Sequence, residues 1–312
     1  MILNLDTGPA SIVQSNNIDL LGFGAHEEDA LVVHERKDEP RLFLHGDFSG
    51  FHMYAIVTHT KFKINSSSVR LIDSKYFQAE VLFENEAGEC LSRIITFSSP
   101  IYPAPLFSVS ACKYGRDYDS FELGFLGGAK NQKFPCDIVF ITRYSTDFNY
   151  DVPLKVKYIG MSAKNGRTAE QRLGEGHSKL QKIVTKLHSR DLFRSVSIVL
   201  YKPGKLDDNR IEFPDVVETL EASLIQYFKP TPYNIEHINF ATNETKLTSK
   251  LKNLGARLVS IRFESPKSTV LYSDFSKEYK QSHQFFWHCH KIANKQFKRD
   301  SQRLAFLLLL QV

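Results

Sequence analysis

Residues 154–162 read LKVKYIGMS. The alternation is that of a β-strand, and the glycine at its end lets the backbone turn tightly. Upstream, CDIVFITRY (136–144) is β-branched and aromatic, and STDFNYDVP (145–153) between the two is turn-forming. The pattern predicts a hairpin of 136–144 with 154–162. Downstream, TAEQRLGEGHSKLQKIVTKLH (168–188) carries Leu173, Leu180, Ile183, Val184 and Leu187 at helical spacing. Gly174 and Gly176 weaken the start of that helix, and Ser178 is placed to cap a second segment. SVSIVLYK (195–202) reads as a third strand with Val196, Ile198 and Leu200 on one face. DVVETLEASLIQYF (215–228) reads as a helix opened by Asp215 and ended by Pro230 and Pro232.

Around this middle section the character of the chain changes. FHMYAIVTHTKFKI (51–64), YFQAEVLFEN (76–85), SRIITFSS (92–99) and LFSVSACKYG (106–115) are short β-rich runs separated by turn residues. GFLGGAKNQKFP (124–135) makes a boundary. After residue 240 come a helix stopped by Gly255, the strands ARLVSIRFES and STVLYSD, and a basic, aromatic helix candidate from Ser276 to Leu310. The expected organisation is a β-rich domain over 1–130, a middle domain over 136–240 and an α/β extension over 241–312. The expected fold class is α+β, a small mixed sheet with flanking helices preceded by the β-rich domain.

At 312 residues the chain is long enough for two domains at roughly 100–200 residues each. Hydrophobic residues at 42% against 24% charged describe a globular protein rather than a disordered one. A net charge of +5 permits an anionic partner without demanding one. Four cysteines without a CxxC pair do not make a disulfide scaffold or a zinc finger. The start lacks a basic, apolar leader. The longest apolar run, LAFLLLL (304–310), falls short of the roughly 20 residues that span a bilayer. The expectation is a cytoplasmic protein with no membrane partner. WHCH (287–290), with His283 upstream, could suggest zinc, but no second ligand pair stands at the usual spacing.

On the 215–228 helix, Glu221 falls on the apolar stripe of Val217, Leu224 and Phe228. A carboxylate there costs several kcal/mol unless a metal ion or an arginine meets it, or unless it sits at the rim of the stripe. Arg172, Tyr158 and Asn234 each read singly as a surface arginine, a strand tyrosine and a turn residue.

Taken in order, Tyr158-Ile159-Gly160, Arg172-Leu173 with His177, and EASLIQYFKPTPYN (221–234) resemble the GIY-YIG nuclease superfamily over about residues 136–236. The resemblance implies a metal-dependent endonuclease acting on DNA, in settings such as restriction or defence against foreign DNA. It implies Glu221 as the ligand of Mg²⁺ or Mn²⁺, Arg172 on the scissile phosphate, and Asn234 as a support for the second helix. Tyr158, with His177 or Tyr144, would orient or deprotonate the water. Lys164 and Arg167 could touch flanking phosphates. A homodimer would be one route to cutting both strands. In this alignment Phe140 stands where the family's first motif has a tyrosine. The alternative is a nucleic-acid-binding or assembly protein that kept the fold and lost cleavage.

Overall fold

A computed structural model of the chain describes residues 2–7, 10–14, 51–85, 88–100, 104–113, 117–126, 132–148, 150–162, 168–174, 177–190, 194–204, 211–240 and 245–289. It is a strand-rich α+β arrangement. The chain opens with β1 (Ile2–Asp6), β2 (Ala10–Gln14) and β3 (Met53–Thr60). An all-β stretch follows: β4 (Lys63–Ile64), β5 (Arg70–Leu71), β6 (Tyr76–Glu84), β7 (Cys90–Ser98), β8 (Leu106–Lys113), β9 (Tyr118–Phe125) and β10 (Gln132–Asp137). The short α1 (Ile138–Ile141) leads to β11 (Val152–Met161), α2 (Ala169–Gly174), α3 (Ser178–Arg190), β12 (Arg194–Tyr201) and α4 (Phe213–Phe228). The described residues end with α5 (Lys246–Asn253), β13 (Leu258–Glu264), β14 (Thr269–Tyr272) and β15 (Ser282–His288).

A five-stranded sheet in the order β14-β11-β3-β12-β2 organises the molecule. The antiparallel partner of β11 is β3, with Tyr54 opposite Gly160 and Ile56 opposite Tyr158. This corrects the expected pairing of 136–144 with 154–162. That upstream segment leaves β10 at Asp137 and becomes α1 followed by a 3-10 turn over Thr142–Tyr144. Its buried positions are Ile138, Val139 and Ile141, a helical spacing that a short apolar run conceals. The strands β4 to β10 are therefore inserted in the chain between these two paired strands. Residues expected to form a separate N-terminal domain supply the middle strand of this sheet. The expected boundary at 124–135 falls within the β9–β10 hairpin.

The reason β3 is central lies in its side chains. Met53, Ala55 and Val57 enter one apolar cluster, and Tyr54 and Ile56 enter another on the opposite face. Both faces are covered, so the run MYAIV carries no polar alternation. The second cluster is closed by Ala169 and Leu173 of α2, Leu180 and Ile183 of α3, and Val196, Ile198 and Leu200 of β12. On the other face α4 packs with Val217, Leu220 and Leu224. The inserted strands are held by phenylalanines: Phe77 stacks on Phe97 at 5.2 Å between centroids and meets Phe121 edge-on at 5.1 Å.

Three local expectations change. α3 is capped by His177, not Ser178, because the His177 ring nitrogen Nδ1 accepts from the Leu180 N–H at 3.1 Å. α4 begins at Phe213 with Glu212 at its N-cap; Asp215 lies in the first turn and pairs with Lys250 at 2.5 Å. The basic helix expected from Ser276 is, over 282–288, the strand β15, antiparallel to β13. Its burial alternates, with His283 and Phe285 inward and Gln284 and Phe286 outward. Residues 290–310 of that expectation lie outside the described residues, as do Lys164 and Arg167. Among the described residues, no helix is long and apolar enough to cross a membrane.

Candidate functional site

The site forms where β3 begins and β11 ends, an antiparallel pair whose side chains meet under α2 and α3. Gly160 decides its geometry. A Cβ there would lie 2.5 Å from both Cζ and Oη of Tyr54 and 2.8 Å from Cε1 of Tyr158. The bare backbone of β11 therefore leaves room for the Tyr54 phenol to lie across it. The requirement is close approach, not the tight turn that the sequence suggested. Tyr54 and Tyr158 have ring centroids 6.1 Å apart.

His177 joins them from the start of α3. Its Nδ1 is occupied as an acceptor by the Leu180 N–H, so in the neutral ring the proton sits on Nε2. Nε2–H then donates to the Tyr54 hydroxyl oxygen at 2.8 Å. The ring is neutral at physiological pH because burial, helped by the nearby Arg172 and Lys179 charges, holds its pKa at about 4. His177 thus acts as a fixed donor. The expectation that it could take a proton from water does not fit a ring with both nitrogens engaged and so little basicity.

Arg172, in the last turn of α2, also donates to Tyr54. Two donors converge on one phenolic oxygen, which leaves the Tyr54 proton to go to the Tyr158 hydroxyl. Tyr54 is fully buried, whereas Tyr158 keeps part of its surface. Burial pushes the pKa of both tyrosines up; Arg172 opposes this at each, and Glu221 adds to it.

Glu221 reaches the same end of β11 from α4. It is partly buried and accepts from the Met161 main-chain N–H. Burial pushes its pKa up to about 7; the Arg172 charge opposes the rise, and Glu218 and Glu236 add to it. Among the described residues it forms no ion pair. A single carboxylate is compatible with Mg²⁺, which keeps several waters and asks for few protein ligands. No group of three His, Cys, Asp or Glu side chains able to hold a metal occurs among the described residues.

Asn234 supports the strand rather than the chemistry. Its Oδ1 accepts from the Ile159 N–H at 2.9 Å, and its Nδ2 donates to the Ile159 carbonyl at 2.8 Å. β14 pairs with β11 only over Val152–Lys155, so the Asn234 amide takes the place of a neighbouring strand beside the tyrosines. Asn234→Ala leaves two buried main-chain groups unpaired at about 1–3 kcal/mol each. We expect it to destabilise the fold by about 2–4 kcal/mol in urea denaturation, and Asn234→Asp to recover only the acceptor half.

Tyr158, Arg172, His177, Glu221 and Asn234 thus come to one end of the sheet. Tyr144 does not join them. It lies in the 3-10 turn after α1, packs on the other apolar cluster, and its carbonyl accepts from Ser98 Oγ. Phe140 lies in α1. The residue that sequence reasoning missed is Tyr54, and its signal was the unbroken apolar run around it.

No protein-family model, no curated protein and no solved structure matches this chain.

Proposed function

We propose that the protein is a metal-dependent endonuclease of the GIY-YIG type, cutting phosphodiester bonds of DNA, with Tyr54 in the place of the first-motif tyrosine. The observation that carries this reading is the Tyr54 hydroxyl held by His177 and Arg172 beside Tyr158 and Glu221. A binding protein without chemistry has no use for a phenol aimed at by two donors next to a partly buried carboxylate. In this reading Tyr54 of β3 takes the role that the alignment gave to Phe140, whose lack of a hydroxyl favoured a non-cutting protein.

The residues divide the work as follows. Arg172, exposed along much of its length, binds the scissile phosphate through its planar fork while still touching Tyr54. Tyr158 faces the water and orients it for attack, its hydroxyl oxygen accepting the Tyr54 proton. Tyr54 is neutral, and its own oxygen is held by His177 Nε2–H and Arg172. Glu221 would hold the divalent cation, which when bound supplies charge relief at the leaving oxygen. Gly160 leaves room for the two phenols to meet, and Asn234 holds the strand beside them through Ile159.

The test is incubation of supercoiled, linear and single-stranded DNA, and of RNA, with the full chain and Mg²⁺. The wild type nicks or linearises DNA, and EDTA stops it. Arg172→Ala lowers the rate by about 10²–10³-fold, the usual loss on removing one charge-stabilising donor. Folded wild type that cuts none of these substrates overturns the proposal.

A further inference from the structure

A cavity of about 360 Å³ lies away from the tyrosines, between the C-terminal end of α4, the 273–279 turn and β15. It is lined by Gln226, Tyr227, Lys229, Phe275, Glu278 and Trp287. Its size falls in the range of small-ligand sites, roughly 300–1,000 Å³. Two features set it apart from an ordinary surface cleft.

First, two of its lining residues carry buried polar atoms without partners: Oε1 of Gln226 and the indole N–H of Trp287. Buried donors and acceptors are nearly always satisfied, and each orphan costs about 1–3 kcal/mol. Here an amide and an N–H donor line the same space. Second, the walls are aromatic and open. Phe275 is 58% exposed and presents its ring to the cavity mouth. Lys229, in a left-handed conformation at the helix end (φ 43°), holds its ammonium 4.0 Å above that ring. The one carboxylate present, Glu278, accepts from the Tyr227 hydroxyl and from Lys280, so its charge is compensated.

We propose that this cavity binds a nucleotide, its base against Phe275 and Trp287 with a polar edge at the Gln226 amide, and its phosphate at Lys229. A nucleobase offers the required chemistry, a flat ring with adjacent donors and acceptors that aromatic walls and an amide can read. The nucleotide can come from the free pool or from a displaced DNA strand. The inference does not rest on the cleavage reading, since none of these residues belongs to that centre.

Trp287 is the single tryptophan of the chain, so its emission reports on this cavity alone. The full chain, in EDTA to prevent cleavage, is titrated with dAMP, dGMP, dCMP and TMP, then with a single-stranded oligonucleotide and a duplex. A saturable change in emission is expected. Phe275→Ala, at an exposed site that the fold does not need, weakens the apparent Kd about tenfold, as loss of one stacking surface does. Gln226→Met, close in shape, weakens it about fivefold through the lost hydrogen bond. Response to mononucleotides assigns the free ligand; response to the oligonucleotide alone assigns a base of the strand. No response to any of these into the millimolar range overturns the proposal, as does an equal Kd in both variants.

Discussion

Tyr54→Phe lowers the rate of DNA cleavage by about 10²-fold, the loss that misplacing a group at the reacting centre produces, and leaves the fold in place. The substitution keeps the ring that fills the space over Gly160 and removes only the oxygen on which His177 and Arg172 converge. Without it Tyr158 loses the donor that fixes its hydroxyl against the water, and the His177 and Arg172 donors face an apolar edge. The stability cost is about 1–3 kcal/mol, because the buried His177 Nε2–H loses its partner. Substrate affinity changes little, since Arg172 remains to hold phosphate. Tyr144→Phe serves as the contrast and leaves the rate within about twofold, because that side chain packs on the other apolar cluster. Single-turnover rates on a nicked and an intact plasmid measure both. A Tyr54→Phe protein that cuts at the wild-type rate would remove Tyr54 from the positioning of Tyr158, and a Tyr144→Phe protein that fails to cut would return the second tyrosine to the upstream segment that the sequence offered.

Much of the site was legible because it lies on elements close together in sequence. The Tyr158-Ile159-Gly160 strand end, Arg172 and His177 flanking the break between α2 and α3, and Glu221 on the apolar stripe of α4 all keep the spacing that helices and strands impose. Asn234 was expected to support a helix; it supports β11 instead, through a contact that turns the chain back onto Ile159. The first tyrosine was not legible, for a topological reason. Sequence periodicity finds the nearest strand, and the nearest candidate to β11 was 136–144. The true neighbour is separated from it by seven strands, and no local pattern encodes so distant a pairing. What β3 does show is five successive apolar or aromatic residues, Met53 to Val57, the mark of a strand covered on both faces. The C-terminal strand β15 was misread for the opposite reason: lysines and aromatics suggested an amphipathic helix, while the alternation of His283 and Phe285 against Gln284 and Phe286 was the truer signal.

Glu221→Gln abolishes metal-dependent cleavage and, at the same time, makes the metal-free protein more stable at alkaline pH. The sign follows from the carboxyl's pKa, pushed up to about 7 in the fold from an ordinary value near 4.5. A raised pKa means that the folded state holds the proton more tightly than the unfolded chain does. The stability this gives is fully present below pH 4.5 and is lost as pH rises through 7, amounting to about 2–3 kcal/mol once the carboxylate is ionised. Glutamine keeps the shape and never ionises. Urea denaturation in EDTA should therefore show the variant more stable than wild type by about 2–3 kcal/mol at pH 8, with the gap nearly closed at pH 5. His177 and His59 carry lowered pKa values of about 4, which make stability rise with pH over the range below 6.5. Both proteins contain them, so that slope cancels in the difference. Added Mg²⁺ should restore stability to wild type at pH 8 and do nothing for Glu221→Gln, since an ion that binds only the folded state stabilises it by mass action. Equal stabilities at both pH values would make Glu221 an ordinary surface carboxylate, and a Mg²⁺ effect of the same size in the variant would place the cation elsewhere. The expected pattern instead describes a residue kept at a cost to the fold, which is how a carboxylate required for a metal ion differs from one required for packing.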